Sequence, residues 1–229
     1  LRDSNGTIVG EHRFVGLFTS HAYSLSPRFI PVLRRKIAHT MSSSRFDSAS
    51  HDGKALLHIL ENYPRDELFQ ISDEELLKNA LGILHLQERQ RTALFERRDP
   101  FGRFMSCLVF TPREVYSANL RERFGEILCK VFKGTVSAFY TQIGDEPLAR
   151  IHFIIKTDPQ HKFSYDKSAV ERDLVAAARS WDDELHDVML AAHSGRKDLE
   201  LFQRYAKAFP VTYRDTFSPS TGVHDADKI

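Results

Sequence analysis

The chain has 229 residues, of which 41% are hydrophobic and 28% are charged, and its formal net charge is +1. This composition supports a packed core and excludes an intrinsically disordered chain. The balance of charge excludes a long-range field that would collect nucleic acid or an anionic membrane surface. No apolar run approaches the roughly 20 residues of a membrane-spanning helix. The two cysteines, Cys107 and Cys129, lack the spacing of a disulfide framework or a zinc site, so we expect a cytoplasmic protein.

The first 90 residues are predicted to hold one hairpin followed by helices. Asn5-Gly6 is a strong hairpin signal, and we expect the run 7–19 to form one or two strands of a sheet whose other strands are absent. Ser26-Pro27 predicts a helix start, with serine as N-cap and proline at the first helical position. A second helix is predicted at about 50–62, and the capping box Ser72–Glu75 opens a third.

From residue 92 the pattern alternates between strands and helices. Strands are predicted at Thr92–Arg98 and Phe104–Thr111, around a turn at Asp99–Gly102 that contains proline and glycine where a hairpin needs them. Two more strands are predicted at Thr135–Ile143 and Ala149–Thr157, because alternate residues of the second are apolar.

Helices complete this alternation. A capping box at Thr111–Glu114 predicts a helix that ends at Gly134. A long helix is predicted at about Ser168–Ser194 with Gly195 as C-cap, then a shorter one at Leu199–Phe209, whereas Ser218–Ile229 is predicted to be polar and loose. The sequence therefore predicts an α+β fold, with a helical linker and a ferredoxin-like antiparallel four-stranded sheet carrying two helices on one face.

No catalytic, cofactor-binding or metal-binding residue is assigned from the pattern. Neither phosphate-binding glycine loop is present in the sequence, and the eleven histidines lack the spacing of a helical zinc site. His51-Asp52 resembles a metal-ligand pair, but we favour a polar helix cap there. Cys107 and Cys129 are predicted to act as small hydrophobic residues rather than nucleophiles.

Thr111 and Arg113 are the candidate effector-binding residues. Free N–H groups at a helix start attract a carboxylate, and Arg113 would add a charged donor. The alternative is that Thr111 and Glu114 already satisfy those N–H groups.

The sequence leaves two interpretations open for each of two segments. The mixed-charge turn around Pro64 is either a salt-bridged docking surface or a solvated helix start. Three phenylalanines around the predicted hairpin turn form either an interface patch or, as we favour, part of the core: Phe95, Phe101 and Phe104.

Five runs, in this order and spacing, resemble the N-terminal half of the large bacterial NAD-specific glutamate dehydrogenases. The resemblance as a whole extends over roughly residues 8 to 215, which is most of the chain. The runs are Gly10–Ser20, Ile30–Lys36, Ser50–Lys54, Pro64–Gln70 and Arg97–Phe104.

The resemblance implies a much longer chain, with PAS-like and ACT-like sensory domains ahead of the dehydrogenase core. It implies that residues 1–47 end a PAS-like domain with its helix and that 48–90 form a helical connector. Residues 91–195 would be an ACT-like domain, and 196–229 a helix and tail that lead to the next domain.

The resemblance also implies oxidation of L-glutamate by NAD and water to 2-oxoglutarate, ammonia and NADH, with the catalytic residues and the NAD site outside this segment. We expect a non-catalytic segment that controls the enzyme allosterically by sensing a small molecule, with an amino acid as the candidate effector. The alternatives are a ligand-free oligomerisation scaffold of the same homo-oligomeric enzyme, or an RNA-binding ferredoxin-like module. Expected partners are the other domains and subunits of the enzyme, with neither nucleic acid nor membrane.

Overall fold

The computed structural model describes residues 3–7, 9–10, 15–160, 164–179, 181–192, 208–226 and 228. These residues form two compact units, divided between Leu84 and His85. No helix in the described ranges is long and apolar enough to cross a membrane.

The first unit is helical. Its helices are α1 (His21–Ser24), α2 (Pro31–Ser44), α3 (His51–Glu61), α4 (Arg65–Gln70) and α5 (Asp73–Arg89), the last of which ends in the second unit. Each of α2 to α5 buries apolar side chains, and the leucines that are fully buried in this unit are Leu33, Leu56, Leu60, Leu68 and Leu76.

Local capping explains where several of these helices begin. Ser50 caps α3, because its Oγ accepts the N–H of Gly53 at 3.0 Å. The predicted capping box of α5 is confirmed, since Ser72 Oγ accepts the N–H of Glu75 at 3.2 Å and the Glu75 carboxylate accepts the N–H of Ser72 at 3.4 Å. Ser26 also caps a helix as predicted, but that helix is a 3₁₀ turn of three residues, Pro27–Phe29.

The predicted strands at 7–19 are not formed by the described residues of that run. Residues 8 and 11–14 lie outside the described residues. A strand is stable only when it pairs with another, and the four strands that the structure describes pair only among themselves. The hairpin prediction is therefore wrong for the described residues.

The second unit contains the predicted sheet. Its strands are β1 (Ala93–Arg98), β2 (Phe104–Pro112), β3 (Thr135–Gln142) and β4 (Leu148–Lys156), each within two residues of the predicted bounds. They pair antiparallel in the order β1-β2-β4-β3. The four-stranded antiparallel sheet is confirmed.

Two helices cover one face of this sheet. They are α6 (Ala118–Phe132) and α7 (Lys167–Ala177), and both contribute to a single apolar core with the inward-facing residues of β1, β2 and β4. The fully buried members of that core are Met105, Cys107, Val109, Phe124, Leu128, Phe132, Ile151, Ile155 and Leu174.

The predicted start of α6, at the capping box Thr111–Glu114, is wrong. Pro112 still belongs to β2, and a 3₁₀ turn at Arg113–Val115 follows it. Helix α6 begins only after Ser117, whose Oγ accepts the N–H of Leu120 at 3.1 Å. At the other end Lys133 is left-handed with φ 51°, where Gly134 had been predicted to close the helix.

The chain beyond α7 also differs from the prediction. The predicted long helix is two helices, α7 and α8 (Trp181–Ala192), while Gly195 and most of the predicted helix at 199–209 lie outside the described residues. A helix α9 (Val211–Thr216) precedes the tail predicted to be loose, Ser218–Ile229, and most of the described residues of that tail form a helix, α10 (Pro219–Ala226). It is ordered because apolar residues of α10 pack against α8, in a cluster of Leu185, Met189, Val223 and Ala226.

Candidate functional site

The predicted effector residues are both engaged with neighbouring groups. Thr111 is buried, and its hydroxyl lies 3.0 Å from the hydroxyl of Thr92. Arg113 is exposed, and its guanidinium donates to the carbonyl of Gly144 at 2.9 Å in the loop between β3 and β4. No α-helix begins at Pro112, so the N–H groups on which the prediction rested are not gathered beside these two side chains.

The predicted polar cap at His51-Asp52 is found at the start of α3, with both side chains exposed. Among the described residues no group of three histidine, cysteine, aspartate or glutamate residues is placed to hold a metal ion. Cys107 lies in the core of the sheet domain and Cys129 is half-buried, and burial raises the pKa of the Cys129 thiol. Both cysteines therefore occupy the environment of small hydrophobic residues.

The mixed-charge turn around Pro64 holds two parts of the first unit together. Arg65 donates to the carbonyl of Leu25 at 3.1 Å, and the hydroxyl of Tyr23 donates to the carboxylate of Asp66 at 2.9 Å. These contacts tie the turn to residues 23–25, an arrangement that neither of the two sequence interpretations included.

The hairpin between β1 and β2 is fixed by one carboxylate. Asp99 accepts hydrogen bonds from the N–H of Phe101 and from the backbone and guanidinium of Arg103, at 2.9–3.2 Å. These hydrogen bonds lower the pKa of Asp99 to about 2, Arg103 being the largest cause. The turn presents Phe101 73% exposed, with the Arg103 guanidinium 5.0 Å from the centre of its ring. Placing Phe101 in the core was wrong.

The face of the sheet opposite α6 and α7 contains a buried polar pair. Ser106 Oγ and His152 Nε2 are 2.8 Å apart, and both residues are buried. A serine beside a histidine can form a nucleophile and base, but a substrate must also reach the serine. Burial therefore favours a structural role, in which each side chain satisfies the other's polar atoms.

Strand β3 is the least covered part of the sheet. It lies at one edge and pairs only with β4. Four large apolar side chains in and just after it are exposed by 40–63%: Val136, Phe139, Tyr140 and Ile143. Arg121 of α6 lies over the Phe139 ring at 4.2 Å, so a cation accompanies the aromatic residues. A pattern of strand residues alone cannot distinguish an edge from a centre, so this site was missed from the sequence.

The strand order and the two helices on one face define an ACT-like α+β domain. Residues 93–182 match the family model of the ACT2 domain of glutamate dehydrogenase. The model of its helical motif 1 matches residues 30–89, and that of its helical motif 2 matches residues 188–229.

Curated relatives lead to the same family. NAD-specific glutamate dehydrogenases are 44% identical in Halomonas elongata and 37% identical in Pseudomonas aeruginosa, each over 99% of this chain. The protein of that name from Mycobacterium tuberculosis is 32% identical over 96% of this chain. The chain belongs to the NAD-specific glutamate dehydrogenase family, and it spans 14% of the length of these relatives.

Proposed function

We propose that the chain is a non-catalytic, N-terminal segment of an NAD-dependent glutamate dehydrogenase, and that it controls the enzyme by joining its subunits. The parent enzyme converts L-glutamate, NAD and water to 2-oxoglutarate, ammonia and NADH. The names of the relatives and their alignment with nearly the whole chain support the parent activity. The exposed edge strand β3 supports the role in assembly.

The composition of β3 favours pairing with another strand. Proteins protect solvent-exposed sheet edges with charged residues, proline or a covering helix, because unpaired N–H and C=O groups otherwise recruit other chains. The eight residues of β3 include no charged residue and no proline. A partner strand would cover both the backbone groups and the aromatic side chains.

The opposite edge of the sheet is protected, which makes β3 the better docking edge. Glu171 of α7 accepts the N–H of Leu94 in β1 at 3.2 Å. Lys167, at the start of α7, pairs with Glu96 of β1 at 2.5 Å. A side chain from α7 therefore occupies a backbone group of β1 that an added strand would use.

The partner we propose is β3 of a second copy of the chain. Two identical strands that pair antiparallel are related by a two-fold axis, which is the commonest symmetry of homo-oligomers. Such pairing would continue the sheet across both copies and bury Tyr140 and its neighbours.

Sedimentation velocity of the 229-residue chain tests this proposal. We expect a shift from monomer to dimer as the protein concentration rises through the micromolar range, and we expect Tyr140→Lys to abolish the shift by placing a charge on β3. Phe101→Lys is the matched control, since Phe101 is also an exposed aromatic residue but lies on the β1–β2 hairpin. A wild-type chain that stays monomeric, or an equal loss in both variants, would refute assembly through β3.

Control by a small molecule is the second candidate, supported by Arg113. Its guanidinium is exposed and its described hydrogen bond goes to a neutral carbonyl, so its charge is free to attract a carboxylate. Calorimetric titration with the common amino acids tests this candidate. We expect heat of binding in the wild type and none in Arg113→Gln; no heat with any amino acid would refute it.

A further inference from the structure

The chain is nearly neutral, but in one long stretch all the Asp, Glu, Lys and Arg positions are basic. Residues 12–46 include six arginine or lysine residues and neither an aspartate nor a glutamate, although the whole chain carries 31 acidic residues. Helix α2 lies in this stretch, and its sequence places two arginines and a lysine in succession, Arg34, Arg35 and Lys36. Positive charge is therefore concentrated on one helix.

This helix lines an open groove of about 790 Å³, which is within the range of small-molecule sites. Both basic and apolar side chains line the groove, and Asp73 is the sole carboxylate among its described lining residues. The lining residues of α2 are Pro31, Val32, Arg34, Arg35, Lys36, Ala38 and His39.

The basic side chains of the groove differ in whether they already have hydrogen-bond or ion-pair partners. Lys36 is committed to the fold, because its ammonium group donates to the carbonyls of Leu68 and Ile71 at 3.0 and 2.5 Å. Arg34 and Arg35 are exposed, and within the part of the chain that the structure describes neither guanidinium has a hydrogen-bond or ion-pair partner. Both guanidinium groups therefore line the groove without a described partner.

We infer that the groove binds a small anion carrying two or more carboxylate or phosphate groups. A guanidinium presents its donors in a planar fork that matches both groups. The apolar lining residues Pro31, Val32 and Ala38 would contact the uncharged part of the molecule. This inference is independent of pairing through β3 and of the candidate site at Arg113.

Calorimetric titration of the 229-residue chain with tricarballylate and with pyrophosphate tests the inference and distinguishes carboxylate from phosphate. We expect saturable binding of at least one probe, with amide shifts in the nuclear magnetic resonance spectrum confined to α2 and the start of α5. The double variant Arg34→Gln/Arg35→Gln should weaken binding by about tenfold or more, because it removes both charged donors. Raising the salt concentration should weaken wild-type binding.

A charge-matched double variant on α6 is the control. Arg123→Gln/Lys130→Gln removes the same two charges from exposed positions outside the groove, and it should bind the probe like the wild type. Absence of binding by both probes would overturn the inference. An equal loss of affinity in the two double variants would also overturn it, since binding would then follow net charge. Circular dichroism spectra of the variants establish that the helices are retained.

Discussion

Asp99 gives the most quantitative prediction about the stability of this domain. The carboxylate is almost fully buried at the β1–β2 hairpin and accepts four hydrogen bonds, three of them from Arg103. Asp99→Asn keeps the size of the side chain but removes its charge and replaces one acceptor with a donor. That new donor would face the N–H groups of Arg103 or Phe101, so we expect the hairpin to be destabilised.

The pKa of Asp99 sets the size of the effect. Its lowering from 3.8 to about 2 corresponds to roughly 2 kcal/mol of folding free energy, at about 1.4 kcal/mol for each tenfold change in acid dissociation. The Arg103 side chain is 59% exposed, so solvent screening reduces the expected loss in Asp99→Asn to about 1–2 kcal/mol at neutral pH. Since the folded pKa lies below the unfolded one, the wild type keeps this stability above about pH 4 and loses it as the pH falls through about 2.

Urea unfolding followed by circular dichroism, at neutral pH and in steps from pH 4 to pH 2, measures both parts of this prediction. The gap between the wild type and Asp99→Asn should narrow as the pH falls. Asp145→Asn is the control, because Asp145 is exposed in the β3–β4 loop, and it should change the unfolding free energy by less than about 0.5 kcal/mol. An unchanged unfolding midpoint for Asp99→Asn at neutral pH, or a gap that is constant down to pH 2, would refute the assigned role of the carboxylate.

Two further predictions concern the ends of α6 and are measured by the same urea unfolding. A Cβ added at Gly134 would lie 2.3 Å from the carbonyl oxygen of Lys156, so Gly134→Ala should cost about 2 kcal/mol or more by pushing the chain away from β4. Gly125→Ala lies within α6, and its Cβ would meet its nearest neighbour at 3.4 Å; it is the control and should stay within about 1 kcal/mol of the wild type. Ser117→Ala should cost about 1 kcal/mol, because the N–H of Leu120 loses its cap; a loss below about 0.3 kcal/mol would contradict that role.

The strands were predictable because their signals are local. Alternation in β4 and the turn chemistry of Asp99–Gly102 depend on neighbouring residues, and the same residues form the hairpin in the folded chain. The accessibility of β3 was not predictable in this way. Its aromatic and β-branched residues suit a central strand as well as an edge, and only the order β1-β2-β4-β3 places it at the edge.

The helix start was mispredicted because two capping signals compete within a few residues. Thr111–Glu114 has the pattern of a capping box, but Thr111 is held in β2 by pairing with Ala149 and by its hydrogen bond to Thr92. Strand pairing of Thr111 is a contact between distant parts of the chain, and it leaves the cap to Ser117. The effector prediction at Thr111 and Arg113 depended on the wrong one of these two signals.

The net charge of the whole chain does not reveal where charge is concentrated locally. A net charge of +1 correctly describes the whole chain, yet a binding site responds to the charges within about one Debye length, roughly 8 Å in physiological salt. Folding leaves Arg34 and Arg35 at the surface, because the apolar stripe of α2 packs inward through Leu33 and Ile37. The acidic residues that balance the total lie outside residues 12–46, and Asp73 is the carboxylate among the described lining residues of the groove. A nearly neutral chain can therefore present a local anion site. Replacing Arg34 and Arg35 by glutamine tests that site, whereas removing the same charge from α6 changes only the net charge of the chain.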